Sequence, residues 1–214
     1  MKIFRVDRHA GQWFAEAAEA LRDGESTPAG VLPVRLIADS AAVRNDRPVF
    51  VPDFAREGWV CQLLMAVHIG RLGKFIAPRF ASRYISGLSL VGCLTPDCET
   101  HPDALTDSFD GAIVLGEMLP FEPAAKMAVT ASCRRLQDHA GGECDETGGI
   151  LITRVVDIEA LRIYDTVALI SRYTTLKSGD IIIPAEVGVT LPAEIGMEIT
   201  GIVDGRCVLT YRLK

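Results

Sequence analysis

With 214 residues, 49% of them hydrophobic, the chain is long enough to bury one sizeable core. A formal net charge of −6 and a pI near 5.3 argue against the clustered cationic surface that a phosphate backbone requires, so no nucleic-acid partner is expected. Mean hydropathy is +0.23, yet no apolar run reaches the roughly 18 residues of a membrane span and MKIFRVDRHAG has no secretory h-region; a cytoplasmic protein with no membrane partner is the expectation.

Lys2 to Val6 alternates as a short strand, and Gln12 to Arg22 places Trp13, Phe14, Ala17 and Leu21 at helical spacing, with Gly24 set to end that helix. Val31 to Ile37 reads as an edge strand because Pro33 interrupts it. Residues 1–50 thus form a strand-helix-strand segment expected to pack on a main domain of residues 51–214. Trp59 to Ile69, bounded by Gly58 and Gly70, reads as a long apolar strand at the centre of that domain. Tyr84 to Val91 is a further strand, and Thr95 to Thr106, with Pro96, Pro102 and the acids Asp97, Glu99 and Asp103, reads as a surface loop. Gly111 to Leu115 is predicted as a strand that stops at Gly116. Ala125 to Leu136 and Gly149 to Val156 are predicted as strands joined through the Gly141-Gly142 turn.

Asp157 to Arg172 is the clearest helix of the second half, with Asp157 placed to accept from its first amides. Ile181 to Ile183 and Glu198 to Val203 follow as strands, and Asp204-Gly205 between two alternating runs predicts a hairpin with Cys207 to Leu213. Strands dominate and no βαβ repeat is present, which indicates a β-rich α+β fold rather than a doubly wound parallel sheet.

The chemistry-bearing residues are few. Six cysteines are too sparse for a disulfide scaffold, and Cys93, Cys98, Glu99 and His101 lack the second knuckle a zinc site needs. The basic segment Arg71 to Arg83 is interleaved with Phe75, Ile76, Phe80 and Ala81 and reads as a solvated edge. His68, in the central strand, reads as a hydrogen-bonded structural histidine or as a base. Asp107 and Asp110 form a carboxylate pair with Glu117 or Glu186, or Asp110 merely caps the turn before Gly111. Cys93 is a nucleophile candidate without a base adjacent in sequence.

Several stretches together resemble the fumarylacetoacetate hydrolase family, in particular its short bacterial members, the hydroxyheptadienedioate isomerases and acylpyruvate hydrolases. They are the opening MKIF with Arg8 and Glu16, the turn Arg71-Leu72-Gly73-Lys74, Phe109-Asp110-Gly111 with Leu115-Gly116-Glu117, the run Ser171 to Ile182 (SRYTTLKSGDII), and the closing Ile195-Gly196 turn with its strand pair. The resemblance implies curled mixed β-sheets around a Mg²⁺ or Mn²⁺ site, a homodimer, and hydrolysis, isomerisation or decarboxylation of small oxo-acids.

The positions that would carry this chemistry depart from the family pattern. The family's E-x-E falls on Gln62 and Leu64, and its Asn-Asp pair on Gly92 and Cys93. The helix histidine falls on Trp13, one lysine near Ala38, another lysine on Asp107, and the substrate loop on Pro184-Ala185-Glu186-Val187. The expectation is a scaffold kept and a catalyst lost. A cleft lined by Trp13, Gln62, Leu64, Cys93, Asp107 and Glu186 would hold no metal and serve a small organic-acid ligand, or the chain would act as a structural or regulatory homodimer. The alternatives are an enzyme rebuilt on Asp107, Asp110, Cys93 or His68, and an unrelated β-rich module with a different topology over residues 1–120.

Overall fold

The computed structural model describes residues 1–6, 34–55, 58–97, 108–136, 149–184 and 188–214. Among these, the strands in chain order are β1 (Ile3–Val6), β2 (Val34–Ile37), β3 (Ala42–Arg44), β4 (Trp59–Ile69), β5 (Ile85–Pro96), β6 (Ile113–Leu119), β7 (Lys126–Arg135), β8 (Ile150–Asp157), β9 (Ile181–Ile183), β10 (Gly188–Ala193), β11 (Met197–Val203) and β12 (Arg206–Arg212). One α-helix, α1 (Ile163–Tyr173), and a 3-10 helix, Pro78–Tyr84, accompany them. No helix among the described residues is long and apolar enough to cross a membrane.

The strands form two sheets. The larger runs β2-β1-β9-β4-β5-β6-β3, with β10 also pairing with β4, and the smaller runs β12-β11-β7-β8. β4 is the axis of the larger sheet. Its full length pairs antiparallel with β5, while its other edge is shared by β10 along Trp59–Leu64 and by β9 at Val67 and His68. A strand with neighbours on both edges and packing on both faces reads in sequence as a nearly continuous apolar run, and WVCQLLMAVHI does so apart from Gln62 and His68.

The two faces of β4 serve different cores. Cys61, Leu63, Met65, Val67 and Ile69 point into the main core between the sheets, against Val129, Ala131, Ile199, Leu209 and Tyr211. Leu64 and Ala66 point the other way, into a second cluster with Ile3, Ile37, Val91, Cys93, Ile113, Ile181 and Ile183. Period-two alternation therefore assigns Gln62, Leu64 and Ala66 to that second face.

The most specific stretches of the sequence turn out to be structural. The Asp180 carboxylate, almost wholly buried, accepts from the backbone amides of Lys2 (2.8 Å) and Lys177 (2.9 Å) and pairs with Lys2 Nζ at 3.3 Å. Gly179 supplies the positive φ that the turn before it needs. Ser171 Oγ accepts from Ile76 N and donates to Ala168 O, and Gly73 and Leu176 exchange two backbone hydrogen bonds. The turn at Arg71–Lys74 and the run after α1 are thus two halves of one joint.

Four expectations change. The strand expected to stop at Gly116 continues to Leu119; a Cβ at 116 would lie 2.5 Å from Leu90 O and 2.8 Å from Val208 O, so the glycine marks a close approach between sheets rather than a turn. β5 runs on to Pro96, past the point where a loop was expected. Asp157 ends β8 and its Oδ1 caps a 3-10 turn, Glu159–Leu161, after which Arg162 (φ 49°) breaks the path before α1 begins. β10 was not among the expected strands; it pairs with β4 and no other described strand, a place where its Pro192 is tolerated. The helix expected at Gln12–Arg22 and the Gly141-Gly142 turn lie outside the described residues.

Candidate functional site

Gln62 and Cys93 are direct partners across β4 and β5, and the next residue on that face, Leu64, pairs with Val91. The three positions that would carry carboxylates in the resembled family are therefore neighbours on one face of the sheet. All are buried: relative exposure is 7% at Gln62, 2% at Leu64 and 1% at Cys93. Ile113 follows Cys93 across β6, and the turn before it is closed by Ala112 N donating to Phe109 O, with Leu94 N donating to Ala112 O. Phe109 packs edge-on against Trp59 (5.3 Å) and Phe54 (6.0 Å), so the Phe109-Asp110-Gly111 segment is fastened beside the start of the central strand.

A cation reaches this face. Arg5 lies on β1, beside Ile183 of β9, with its side chain on the same side as Ile3. It is only 3% exposed, and its Nη2 donates to Gln62 Oε1 at 2.5 Å. Burying a guanidinium is costly unless its donors are matched, and the Gln62 carbonyl is one acceptor that matches them. Arg5 did not stand out in sequence: in the alternating run MKIFRV a charged residue reads as solvent-facing, and only the pairing of β1 with β9 turns that face inward.

Further along the same face, His68 Nε2 lies 2.8 Å from the hydroxyl of fully buried Ser89. Burial holds the His68 imidazole below its ordinary 6.5, so the ring is neutral at neutral pH. Ser89 escaped notice in the sequence, where a serine on an alternating strand carries no signal of its own. Of the remaining candidates, Asp110 sits in an exposed turn and Glu117 is held by Arg206 at 2.5 Å on the surface. Trp13, Asp107 and Glu186 lie outside the described residues, as do Cys98, Glu99 and His101.

Mg²⁺ and Mn²⁺ take several oxygen ligands, mostly anionic. Gln62 offers one neutral oxygen, already engaged by a guanidinium; Leu64 offers none; Cys93 offers sulfur. This donor set does not fit a hard dication. Among the described residues no group of three or more His, Cys, Asp or Glu side chains is placed to hold a metal ion.

No protein-family model and no curated protein matches the sequence. Solved structures do match. The fold superimposes on fumarylpyruvate hydrolase from Pseudomonas aeruginosa, solved with Mn²⁺ and pyruvate, with a TM-score of 0.71 at 17% identity, covering 100% of this chain and 89% of that one. The 5-carboxymethyl-2-hydroxymuconate delta-isomerase of Mycobacterium smegmatis gives 0.70 at 18% identity, over 99% and 78% of the two chains. The 2-hydroxyhepta-2,4-diene-1,7-dioate isomerase of Mycobacterium marinum gives 0.69 at 17%, over 99% and 73%. The chain thus has the fold of the fumarylacetoacetate hydrolase family, curled mixed sheets included, and the unrelated topology for residues 1–120 is set aside.

Proposed function

We propose that this chain is a divergent member of the fumarylacetoacetate hydrolase family that binds a small organic acid without a divalent metal and has lost the family's metal-dependent catalysis. The observation that carries the reading is the hydrogen bond from buried Arg5 to Gln62, on the face where Leu64 and Cys93 complete the trio. A guanidinium held against a would-be ligand repels a dication, and neither neighbour supplies an anionic oxygen to offset the dehydration of such an ion. The ligand class is drawn from the pyruvate in the Pseudomonas aeruginosa hydrolase.

The test is elemental analysis of the purified protein, then calorimetric titration with Mn²⁺ and, after chelation, with pyruvate. No stoichiometric metal, together with pyruvate affinity that chelation leaves unchanged, is the expected result. One tightly held Mn²⁺ per chain would overturn it.

The pairing of neutral His68 with Ser89 favours a second reading, a rebuilt enzyme in which this pair moves a proton. Turnover of acylpyruvates or oxaloacetate by chelated protein, abolished in His68→Gln, would replace the first reading with this one.

A further inference from the structure

The joint between the Arg71–Lys74 turn and the run after α1 carries a surface that the candidate site does not use. Residues 69–84 and 171–179 contain six cations, Arg71, Lys74, Arg79, Arg83, Arg172 and Lys177, and no acid. Among the described residues none of the six is in an ion pair. Arg79 shares a cavity wall with Glu159 and Asp165, but Asp165 is held by Arg162 at 3.3 Å. The net charge of −6 thus conceals a local cationic cluster.

Large apolar side chains stand out between these charges. Leu72 is 69% exposed, Phe75 71%, Tyr173 53% and Phe80 39%. Phe75 is also held in a left-handed backbone conformation, with φ 52°. Its amide donates to Ser171 O at 3.1 Å, and the next amide, of Ile76, donates to Ser171 Oγ at 2.9 Å. A glycine would take that φ without strain, and an exposed ring adds little to packing, so a strained phenylalanine here points to use at the surface. Cations lie against the rings. Lys74 Nζ is 5.3 Å from the Phe75 centroid, and the guanidiniums of Arg79 and Arg83 are 4.8 and 4.9 Å from that of Phe80.

We propose that this surface seats the protein on an anionic phospholipid bilayer, with Leu72 and Phe75 entering the apolar boundary and the surrounding cations meeting the lipid headgroups. Protruding apolar side chains set among Lys and Arg are the composition of an interfacial contact, and each cation near such a surface tightens binding about fivefold. Protein interfaces deplete lysine and seat their anchors in pockets, whereas Leu72 and Phe75 project outward. Single-stranded nucleic acid needs open ring faces for its bases, and cations already lie over Phe75 and Phe80. The negative charge of the rest of the molecule turns its other faces away, which favours one orientation. The expectation of no membrane partner rested on the lack of a spanning segment, which a peripheral contact does not need. The contact is independent of whether the candidate site holds a metal.

The experiment is cosedimentation of the full chain with vesicles of phosphatidylcholine alone and of equimolar phosphatidylcholine and phosphatidylserine, at low salt and in about 1 M NaCl. Wild type is expected to sediment with the mixed vesicles at low salt, to ignore phosphatidylcholine alone, and to be released by salt. Phe75→Gly relieves the positive φ, so it should keep the circular dichroism spectrum of the wild type while binding about tenfold more weakly. The double variant Arg71→Glu/Lys74→Glu, altered only at exposed positions, should lose binding. A wild type that stays in the supernatant overturns the proposal, and its capture by immobilised poly-glutamate would then assign the surface to an acidic polypeptide. Binding that ignores lipid charge or salt, or that is unchanged in either variant, overturns it as well.

Discussion

Arg5 and Gln62, 57 positions apart in sequence, meet through a buried hydrogen bond across the larger sheet. The contact is possible because β9 lies between their strands, pairing parallel with β1 and antiparallel with β4. Arg5→Met removes the donor and leaves Gln62 Oε1 buried, which costs about 1–3 kcal/mol of stability for an unmatched polar group. Urea unfolding of the two proteins measures it, and an unchanged midpoint would show that the contact carries no weight.

Among the described residues, two groups shape the acid side of the stability profile. Burial holds His68 below 6.5 in the folded protein, so the unfolded chain takes up its proton first and stability falls as pH drops below 6.5. Glu198, raised by burial but lowered further by Arg134 and Arg212, has a net value below 4.5 and contributes stability that is present above 4.5 and lost below it. Melting temperature followed across this range should decline in two stages, with His68→Gln flattening the upper one. A decline of the same steepness below 6.5 in that variant would exclude His68 as its source.

Gly116→Ala tests the close approach of the two sheets. The added methyl meets backbone oxygen of β5 on one side and of β12 on the other, and backbone cannot swing aside as a flexible side chain can. The expected loss is at least about 2 kcal/mol, at the upper part of what overpacking costs, read from denaturant midpoints. Gly205→Ala is the control: its Cβ meets nothing within 4 Å, so only its φ of 82° is penalised.

Native thiol reactivity should separate the cysteines. Cys61 is fully buried, its thiol pushed up to about 12 with burial as the main cause, and Tyr211 Oη lies 2.6 Å away. Cys93 and Cys133 are buried as well, and Cys207 is exposed. Mass-resolved labelling with a maleimide should therefore modify Cys207 rapidly and Cys61, Cys93 and Cys133 only on unfolding. Rapid native labelling of Cys93 would mean that the candidate site is open to solvent.

The fold was legible in sequence where one interaction dominates a stretch. Trp59–Ile69 is apolar at all but Gln62 and His68 because both of its faces are covered, and Asp204-Gly205 takes the positive φ values, 48° and 82°, that its hairpin requires. Misreadings arose where a residue type has two uses. Gly116 serves contact rather than a turn, and Asp157 caps a 3-10 turn that only resembles the start of the helix.

The candidate site was legible only as a set of departures. Gln62, Leu64 and Cys93 could be placed together because strand alternation and pairing fix their face. The group that occupies that face in their stead, Arg5, was hidden because its burial depends on a parallel pairing with a strand near the far end of the chain. No local pattern encodes a contact of that range.

The same pairing governs how the molecule comes to exist. β1 is held on one side by β9, and Lys2 N bonds the carboxylate of a residue 178 positions later. During synthesis the first strand must wait, without that partner, until β9 has been made. Docking of β1 therefore waits for β9, and it is slow because so long a loop must close.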